Sequence, residues 1–247
     1  MPKVLYTKEG EKYYIRDASK DYHFEYGYFK AADLAREGKI VSNTGKECFL
    51  SNVSFIDQLE KIKRLPQVIP LKDVGLIISK AGIGKKSVIV DAGTGSCYLA
   101  LVLANIAKKV TSYELREDFH TVAKENKEKL GMRNLTLKRK SIYDGIDEKN
   151  VDVLTLDLPE PWNAIAPAKK ALKIGGFIVS YSPTIPQVMD FVKAVGSEPS
   201  LLHLETIEIL ERQWEVDERK VRPKSQQIGH SGFLVFVRKI DNAQEII

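Results

Sequence analysis

VIVDAGTGS, residues 88–96, decides the fold, because it joins an apolar strand to a glycine-rich turn. Residues 88–90 are typical of a buried strand, and Gly93 and Gly95 follow where the backbone must turn sharply and approach a ligand closely. A helix-like apolar segment begins at Tyr98. A strand, a Gly-x-Gly turn and a helix in this order predict a nucleotide-like site at the end of the strand.

Strand-like and helix-like segments alternate on both sides of this turn, from a helical stretch at 71–82 to a strand at 177–182. Repeated βα units with short connections predict a mostly parallel sheet that is covered by helices on both faces. Two further apolar segments, residues 201–210 and 233–240, have no long helix between them, so we expect an antiparallel pair that closes the sheet. The predicted fold class is α/β with a Rossmann-like sheet.

The first 53 residues differ from the rest, because short strand-like segments are separated there by turn signals. A Glu-Gly turn interrupts residues 4–16, and Asn-Thr-Gly interrupts residues 38–52. Ser54 is placed to cap a helix that Pro66 stops. We therefore predict a small N-terminal β domain with a linking helix over 1–65 and a larger α/β domain over 66–247.

The composition is that of a folded protein, with 247 residues of which 43% are hydrophobic. Cys48 and Cys97 are far apart and belong to no Cys/His cluster, so a disulfide framework or a metal site has no support. No apolar run approaches the roughly 20 residues that span a bilayer, and no secretory signal is evident. We expect a cytoplasmic protein, and the net charge of +5 permits a polyanionic partner without requiring one.

Acidic residues that follow the predicted strands indicate which nucleotide the turn binds. Glu114 ends the next strand, where a carboxylate can accept both ribose hydroxyls. Tyr98 replaces the third glycine of a dinucleotide site, and the charge of Asp91 suits an ammonium group or a water network better than a pyrophosphate. S-adenosylmethionine has an amino acid head and a ribose but no phosphate, and it fits Asp91, Glu114 and Asp144. The alternative is that Asp91 caps a helix and Glu114 is a solvated strand end.

DLPEPW, residues 157–162, places an acidic residue at the end of an apolar strand, beside two prolines and an aromatic ring. A carboxylate held there can bind a flat, hydrogen-bonding substrate such as a nucleobase, and the prolines restrict the backbone that directs it. Asp157 could instead cap a helix. Trp162 could stack on a base or form the wall of a pocket, and the same two roles are open to Tyr181.

Several segments together resemble the tRNA adenine-N1 methyltransferases, which are class I S-adenosylmethionine-dependent enzymes that form 1-methyladenosine in the T loop. The segments are DAGTGSC (91–97), YEL (113–115), LKIGGF (172–177), DLPEPW, QVIPLKD (67–73), SYSPTIPQV (180–188) and a tail from RQWEVDERKVRP to GHSGFLVFVRK (212–239). The resemblance spans nearly the whole chain. It departs from the family at Cys97, where glycine is usual, and a side chain there could narrow the approach to the methionine moiety.

The resemblance implies methylation of N1 of adenine 58, or of adenines 57 and 58, in tRNA by a homotetramer. Asp157 is the predicted catalytic residue, because its carboxylate could accept a hydrogen bond from the adenine amino group and take up the proton lost by the product. The predicted cofactor-binding residues are Gln67, Asp91, Gly93, Gly95, Ser96, Cys97, Glu114, Phe119, Asp144 and Asp157. The predicted substrate-binding residues are Trp162, Tyr181, Arg219 and Arg222.

Other functions remain open at the level of sequence. The same fold serves methyltransferases that act on small molecules, such as the precorrin-type enzymes, and on proteins. A non-catalytic tRNA-binding subunit is a third possibility, although such a subunit need not keep the acidic and glycine residues named above. Basic residues concentrate between the last two strands, and they either contact phosphates or form a solvated cluster. They are Arg212, Arg219, Lys220, Arg222 and Lys224.

Overall fold

The structure is a computed structural model that describes residues 1–217, 219–226 and 229–241. The chain divides into two compact units, Met1–Ile62 and Lys63–Ile247. The sequence places the boundary after residue 65, and the independence of the two parts as domains stays a prediction. None of the helices in the described part of the chain is long and apolar enough to cross a membrane.

The N-terminal unit is built from short antiparallel strands around a small apolar core. Its elements are β1 (Lys3–Thr7), β2 (Lys12–Ile15), β3 (Tyr22–Phe24), β4 (Gly27–Phe29), β5 (Gly38–Val41), β6 (Glu47–Asn52) and α1 (Phe55–Leu59). Four of the strands form a sheet in the order β2-β1-β6-β5, and β3 pairs with β4 in a separate hairpin. Ser54 caps α1 by forming a capping box with Asp57, as its position in the sequence predicts. The small helix ends at Leu59, well before Pro66.

The larger unit alternates strands and helices as predicted. Its elements are α2 (Leu71–Lys80), β7 (Val88–Ala92), α3 (Tyr98–Ile106), β8 (Lys109–Tyr113), α4 (Glu117–Leu130), β9 (Leu135–Lys138), β10 (Val151–Leu156), α5 (Ile165–Ala171), β11 (Leu172–Ser182), α6 (Ile185–Gly196), β12 (Leu201–Glu208), β13 (Trp214–Asp217), β14 (Lys220–Pro223) and β15 (Phe233–Lys239).

Seven of these strands form one sheet in the order β12-β15-β11-β10-β7-β8-β9. The five strands from β11 to β9 are parallel, whereas β15 pairs antiparallel with both β11 and β12. The predicted α/β class, with its C-terminal antiparallel pair, is therefore confirmed. Strand order reverses between β7 and β10, and open α/β sheets bind their ligands in the crevice at the carboxyl ends of such strands.

One apolar cluster of this unit covers one face of the sheet. Val90, Leu154, Ile178 and Val237 lie side by side in the register of four adjacent strands, and all four are buried. Phe191 of α6 packs into the same cluster. This register fixes the strand ends that follow, so that the residues after β7 and β10 emerge next to each other.

Two features of the larger unit differ from the sequence-based prediction. The last parallel strand begins at Leu172, but its register with β10 shifts after this residue and resumes at Phe177, where the sequence predicts the strand to begin. The Gly-Gly pair lies in this irregular part, where a Cβ at Gly176 would lie 3.0 Å from the carbonyl oxygens of Lys173 and Val151. The basic segment between the last two sheet strands is a two-stranded ribbon of β13 and β14.

Candidate cofactor and acceptor site

A cavity of about 340 Å³ opens at the carboxyl ends of β7, β8 and β10. This volume lies within the range of roughly 300–1,000 Å³ that is usual for small-molecule sites. Its lining includes three groups, namely the segment 66–69, the glycine turn after β7 and the residues that follow Asp157. The cavity therefore occupies the crevice at which the strand order reverses.

Gly93 is required by the close approach of two strand ends. Its φ is +88°, and a Cβ there would lie 1.9 Å from the carbonyl oxygen of Asp157. The N–H of Asp157 donates to the carbonyl oxygen of Ala92 at 2.9 Å. This hydrogen bond joins the glycine turn directly to Asp157, and only glycine at position 93 allows the two backbones to come so close.

Glu114 is fixed to the same turn through its carboxylate. The N–H of Gly95 donates to its Oε2 at 3.0 Å, and the N–H of Arg116 donates to its Oε1 at 2.9 Å. Each carboxylate oxygen can accept a further hydrogen bond. Glu114 is only 8% exposed and lines the cavity, so its remaining acceptor capacity is suited to a pair of hydroxyl groups.

Asp91 lies beneath the turn and does not line the cavity. Ser112 of β8 and Thr155 of β10 are its neighbours in the sheet register, and their hydroxyls donate to its carboxylate at 2.5 and 2.6 Å. The Thr94 and Ser112 hydroxyls lie 2.6 Å apart, which links the turn to this pair. Burial raises the pKa of Asp91, and the charge of Glu114 adds to the effect. Asp91 therefore anchors the turn from below.

Asp157 lines the cavity and carries a perturbed carboxyl group. Burial raises its pKa from 3.8 to about 7, and the negative charges of Asp91 and Glu114 act in the same direction. A carboxyl group that titrates near neutral pH can act as a hydrogen-bond acceptor and as a base in the same reaction. The environment of Asp157 is therefore that of a functional carboxylate more than that of a helix cap.

The structure separates the other predicted cofactor residues into two sets. Gln67, Ser96 and Phe119 line the cavity together with the residues described above. Gln67 has a φ of +65°, and this left-handed conformation is strained for a residue with a side chain and is often found where a ligand is held. Cys97 and Asp144 lie outside the lining.

Cys97 occupies a conformation that explains why glycine is usual there. Its φ is +70°, in the left-handed region that glycine adopts without strain, and its side chain is fully buried. The thiol does not line the cavity, and an effect of Cys97 on the approach to a methionine moiety stays a prediction. Asp144 is exposed at the end of a short 3-10 helix, whereas its neighbour Tyr143 lines the cavity.

None of the predicted substrate-binding residues lines the cavity. Trp162 is partly buried and packs against the core cluster, which favours a place in the core over stacking on a base. Tyr181 is 9% exposed, its hydroxyl donates to the carbonyl oxygen of Ser231, and burial raises its pKa to about 12. Arg219 and Arg222 are exposed on the ribbon, where Arg222 donates to Glu215 at 3.0 Å.

Comparison with known proteins identifies the family. A model of the family described as the tRNA methyltransferase complex GCD14 subunit matches residues 61–231. The chain belongs to this family. It is 32% identical to the tRNA (adenine(57)-N(1)/adenine(58)-N(1))-methyltransferase TrmI of Methanocaldococcus jannaschii, over 96% of this chain and 94% of that protein.

Two further relatives of this methyltransferase are informative. The tRNA (adenine(58)-N(1))-methyltransferase TrmI of Thermus thermophilus is 31% identical over 82% of this chain and 81% of that protein. A solved structure from Thermotoga maritima, described as that of an S-adenosylmethionine-dependent O-methyltransferase, superposes with a TM-score of 0.86 and 29% identity. The match covers 99% of this chain and 94% of the Thermotoga chain.

The sequence-based prediction missed several residues of the methyltransferase site. Arg116 lines the cavity, and its guanidinium group lies 3.5 Å from the centroid of the Phe119 ring, which also lines it. Ser112 and Thr155 hold Asp91, and no sequence signal marks them, because only the register of the three strands brings them beside it. Within the described residues, no group of three His, Cys, Asp or Glu side chains is arranged to hold a metal ion.

Proposed function

We propose that this protein transfers a methyl group from S-adenosylmethionine to N1 of adenine 58, or of adenines 57 and 58, in tRNA. The observation that carries the proposal is the meeting of Asp157 with the glycine turn and Glu114 in one cavity. The names of the Methanocaldococcus and Thermus relatives support the same reaction.

The residues of the cavity fit this cofactor. Glu114 offers two oriented carboxylate oxygens for the ribose hydroxyls, and Gly93 and Gly95 leave room for close approach by the rest of the molecule. We assign Gln67, Ser96 and Phe119 to the same ligand because they line the cavity. When bound, S-adenosylmethionine supplies a sulfonium methyl group that is already activated for displacement. Asp91, Cys97 and Asp144 do not line the cavity and would influence the bound cofactor only indirectly.

Asp157 would act on the adenine. Its carboxylate accepts a hydrogen bond from the exocyclic amino group and so stabilises the positive charge that the ring gains as N1 is methylated. It then accepts one proton from that amino group, which leaves the methylated base neutral. Alignment of the base and exclusion of water supply the remainder of the rate enhancement.

The tRNA would be held outside the cavity. Arg219 and Arg222 are exposed on the ribbon and suited to phosphate contacts, while Trp162 and Tyr181, which do not line the cavity, would support the acceptor site from behind. We also propose a homotetramer. Trp214, Val216 and Val221 are all more than half exposed on the ribbon, and a two-stranded ribbon of this kind gains stability from packing against another surface. The reaction implies a cytoplasmic location.

The test is incubation of unmodified tRNA with isotopically labelled S-adenosylmethionine, followed by nucleoside mass spectrometry. We expect label in 1-methyladenosine and its loss in Asp157→Ala, with cofactor binding, measured by calorimetry, largely intact. Because the Thermotoga protein is described as an O-methyltransferase, label in a 2′-O-methyl nucleoside is the informative alternative. That result, or turnover of a small molecule or protein in place of tRNA, would replace the proposed acceptor.

A further inference from the structure

A buried ionic cluster lies outside the cavity and has no part in the chemistry proposed above. The Lys72 ammonium group lies 2.9 and 3.0 Å from the two carboxylate oxygens of Asp73 and donates to the Ser231 hydroxyl at 2.6 Å. The Ser231 hydroxyl in turn donates to Asp73 at 2.8 Å. The side chains of Lys72 and Asp73 are 11% and 1% exposed. Buried ion pairs contribute little net stability, so stability alone does not account for the Lys72–Asp73 pair.

Lys72 binds both ends of one long insertion in the sheet. The chain leaves β12 after Glu208 and returns at the start of β15, and we call the intervening residues 209–232 the excursion. The Lys72 ammonium group donates to the carbonyl oxygen of Ile209, where the excursion begins, at 2.8 Å. It also holds Ser231, where the excursion ends. A single charged group on α2 therefore joins the two ends of the excursion.

The C-terminal end of the excursion contacts β11, which pairs with β10, the strand that Asp157 follows. The Tyr181 hydroxyl donates to the carbonyl oxygen of Ser231, and a Cβ at Gly232 would lie 2.4 Å from a ring carbon of Tyr181. In the sheet register, Ser180 pairs with Leu156, which directly precedes Asp157. The contacts of Lys72 thus reach the strand next to Asp157 through two hydrogen-bonded residues.

His230 provides a second attachment of the same segment. Its Nδ1 lies 2.6 Å from a carboxylate oxygen of Glu208, and its Nε2 lies 2.9 Å from the carbonyl oxygen of Pro183. Both partners are acceptors, so the ring bonds to both when it is protonated. Glu208 ends β12 and Pro183 follows β11, and the segment is consequently attached to two strands of the sheet as well as to α2.

We propose that Lys72 is a positioning residue that fixes the excursion relative to Asp157. The inference rests on the proposed function, because the excursion carries Arg219 and Arg222, which we assign to the tRNA. A tRNA bound to the ribbon brings its adenine to the carboxylate of Asp157 only if the two ends of the excursion stay fixed relative to the sheet. A misplacement of about 1 Å can lower a rate by about 100-fold.

The test is the paired substitution Lys72→Met with Asp73→Asn, which removes both charges and leaves neither buried alone. The matched control is Lys80→Met with Glu205→Gln, an ion pair of 2.7 Å that joins the same helix to β12, the strand before the excursion, but is more than one-third exposed. We expect kcat for tRNA to fall by at least about 10-fold in the first variant, with its KM and the cofactor affinity changed by less than about 3-fold. The control should match the wild type.

Hydrogen exchange supplies a readout that does not depend on the acceptor. Amides of residues 209–213 and 229–232 should exchange faster in the Lys72→Met, Asp73→Asn variant and at the wild-type rate in the control. If that variant does not fold, Ser231→Ala takes its place, because it keeps both charges and the carbonyl that Tyr181 binds. We expect Ser231→Ala to show the same changes in smaller degree.

Unchanged exchange in the excursion would overturn the proposal whatever the protein methylates. Faster exchange with a wild-type kcat would also overturn it, because the attachment would then not position the substrate. A fall in kcat matched by an equal fall in cofactor-binding stoichiometry would reduce Lys72 to a structural role. A wild-type protein that fails to methylate tRNA would refute the proposed function instead, and the exchange result alone would then decide whether Lys72 fixes the excursion.

Discussion

Asp157→Asn should stabilise the ligand-free protein at alkaline pH while it abolishes the reaction. The substitution keeps the shape of the side chain and the backbone hydrogen bond to Ala92, but it removes a charge that lies near Asp91 and Glu114. Rates are expected to fall by at least about 100-fold because a neutral amide cannot accept the proton from the adenine amino group.

The size and sign of the stability effect follow from the raised pKa. The rise from 3.8 to about 7 for Asp157 corresponds to up to about 4 kcal/mol, at about 1.4 kcal/mol per pKa unit. Below about pH 4 the carboxyl group is protonated in both the folded and the unfolded chain. As the pH rises to about 7 the unfolded chain ionises first, so the wild type loses stability over this interval and the variant does not.

The assay is urea unfolding of both proteins without cofactor, from about pH 4 to about pH 8, with stability extrapolated to water. The free energy of unfolding of the variant should exceed that of the wild type by an amount that grows up to about pH 7 and then levels off. Asp190→Asn is the matched control, because Asp190 is exposed on α6. A difference between variant and wild type that does not change with pH would refute the electrostatic account of the site, as would a variant that is the less stable protein at about pH 8.

Three further predictions concern the turn and the ribbon. Gly93→Ala should cost at least about 2 kcal/mol of stability and most of the cofactor affinity, whereas Gly84→Ala, with open space at its Cβ, should be nearly neutral by denaturant unfolding and calorimetry. Cys97→Gly should be more stable than Cys97→Ala by about 1 kcal/mol, because both lose the sulfur and only glycine relieves the left-handed backbone; equal stabilities would contradict that strain. Replacing Arg219 and Arg222 together by alanine should raise KM for tRNA and leave kcat unchanged. The slope of log binding constant against log salt concentration should become shallower by about 2, one unit for each lost phosphate contact. An unchanged slope would show that the ribbon does not contact tRNA.

The order of strands and helices could be predicted because each βα unit carries its own local signals. The apolar strand before Gly93, the helix that follows it and the late antiparallel pair are all readable from a few residues each. The ribbon was not readable, because β13 and β14 alternate charged and apolar residues without a core to indicate a buried face. Its two strands pair only with each other among the described strands.

The site divides in a similar way between local and non-local information. Gly93, Gly95 and Glu114 follow from position along a strand, because the carboxyl ends of parallel strands meet at one edge. That Asp91 is buried beneath the turn depends on its two hydroxyl neighbours, Ser112 and Thr155, and these are brought beside it only by the register of three strands. Register is a tertiary property, and a residue's type does not reveal it.

The attachment of Asp157 to the turn explains why three carboxylates share so small a volume. Asp91 holds the turn from below, Glu114 holds it through the N–H of Gly95, and the carbonyl of Asp157 lies against Gly93. Each contact is needed for shape, yet the first two charges raise the pKa of the third. A ligand with a sulfonium centre supplies the positive charge that this arrangement lacks, and it would favour the ionised form of Asp157 that the reaction requires. The neighbouring charges that make Asp157 hard to ionise in the free protein would therefore be offset when the cofactor binds, and Asp157 would then be ionised and ready to accept a proton.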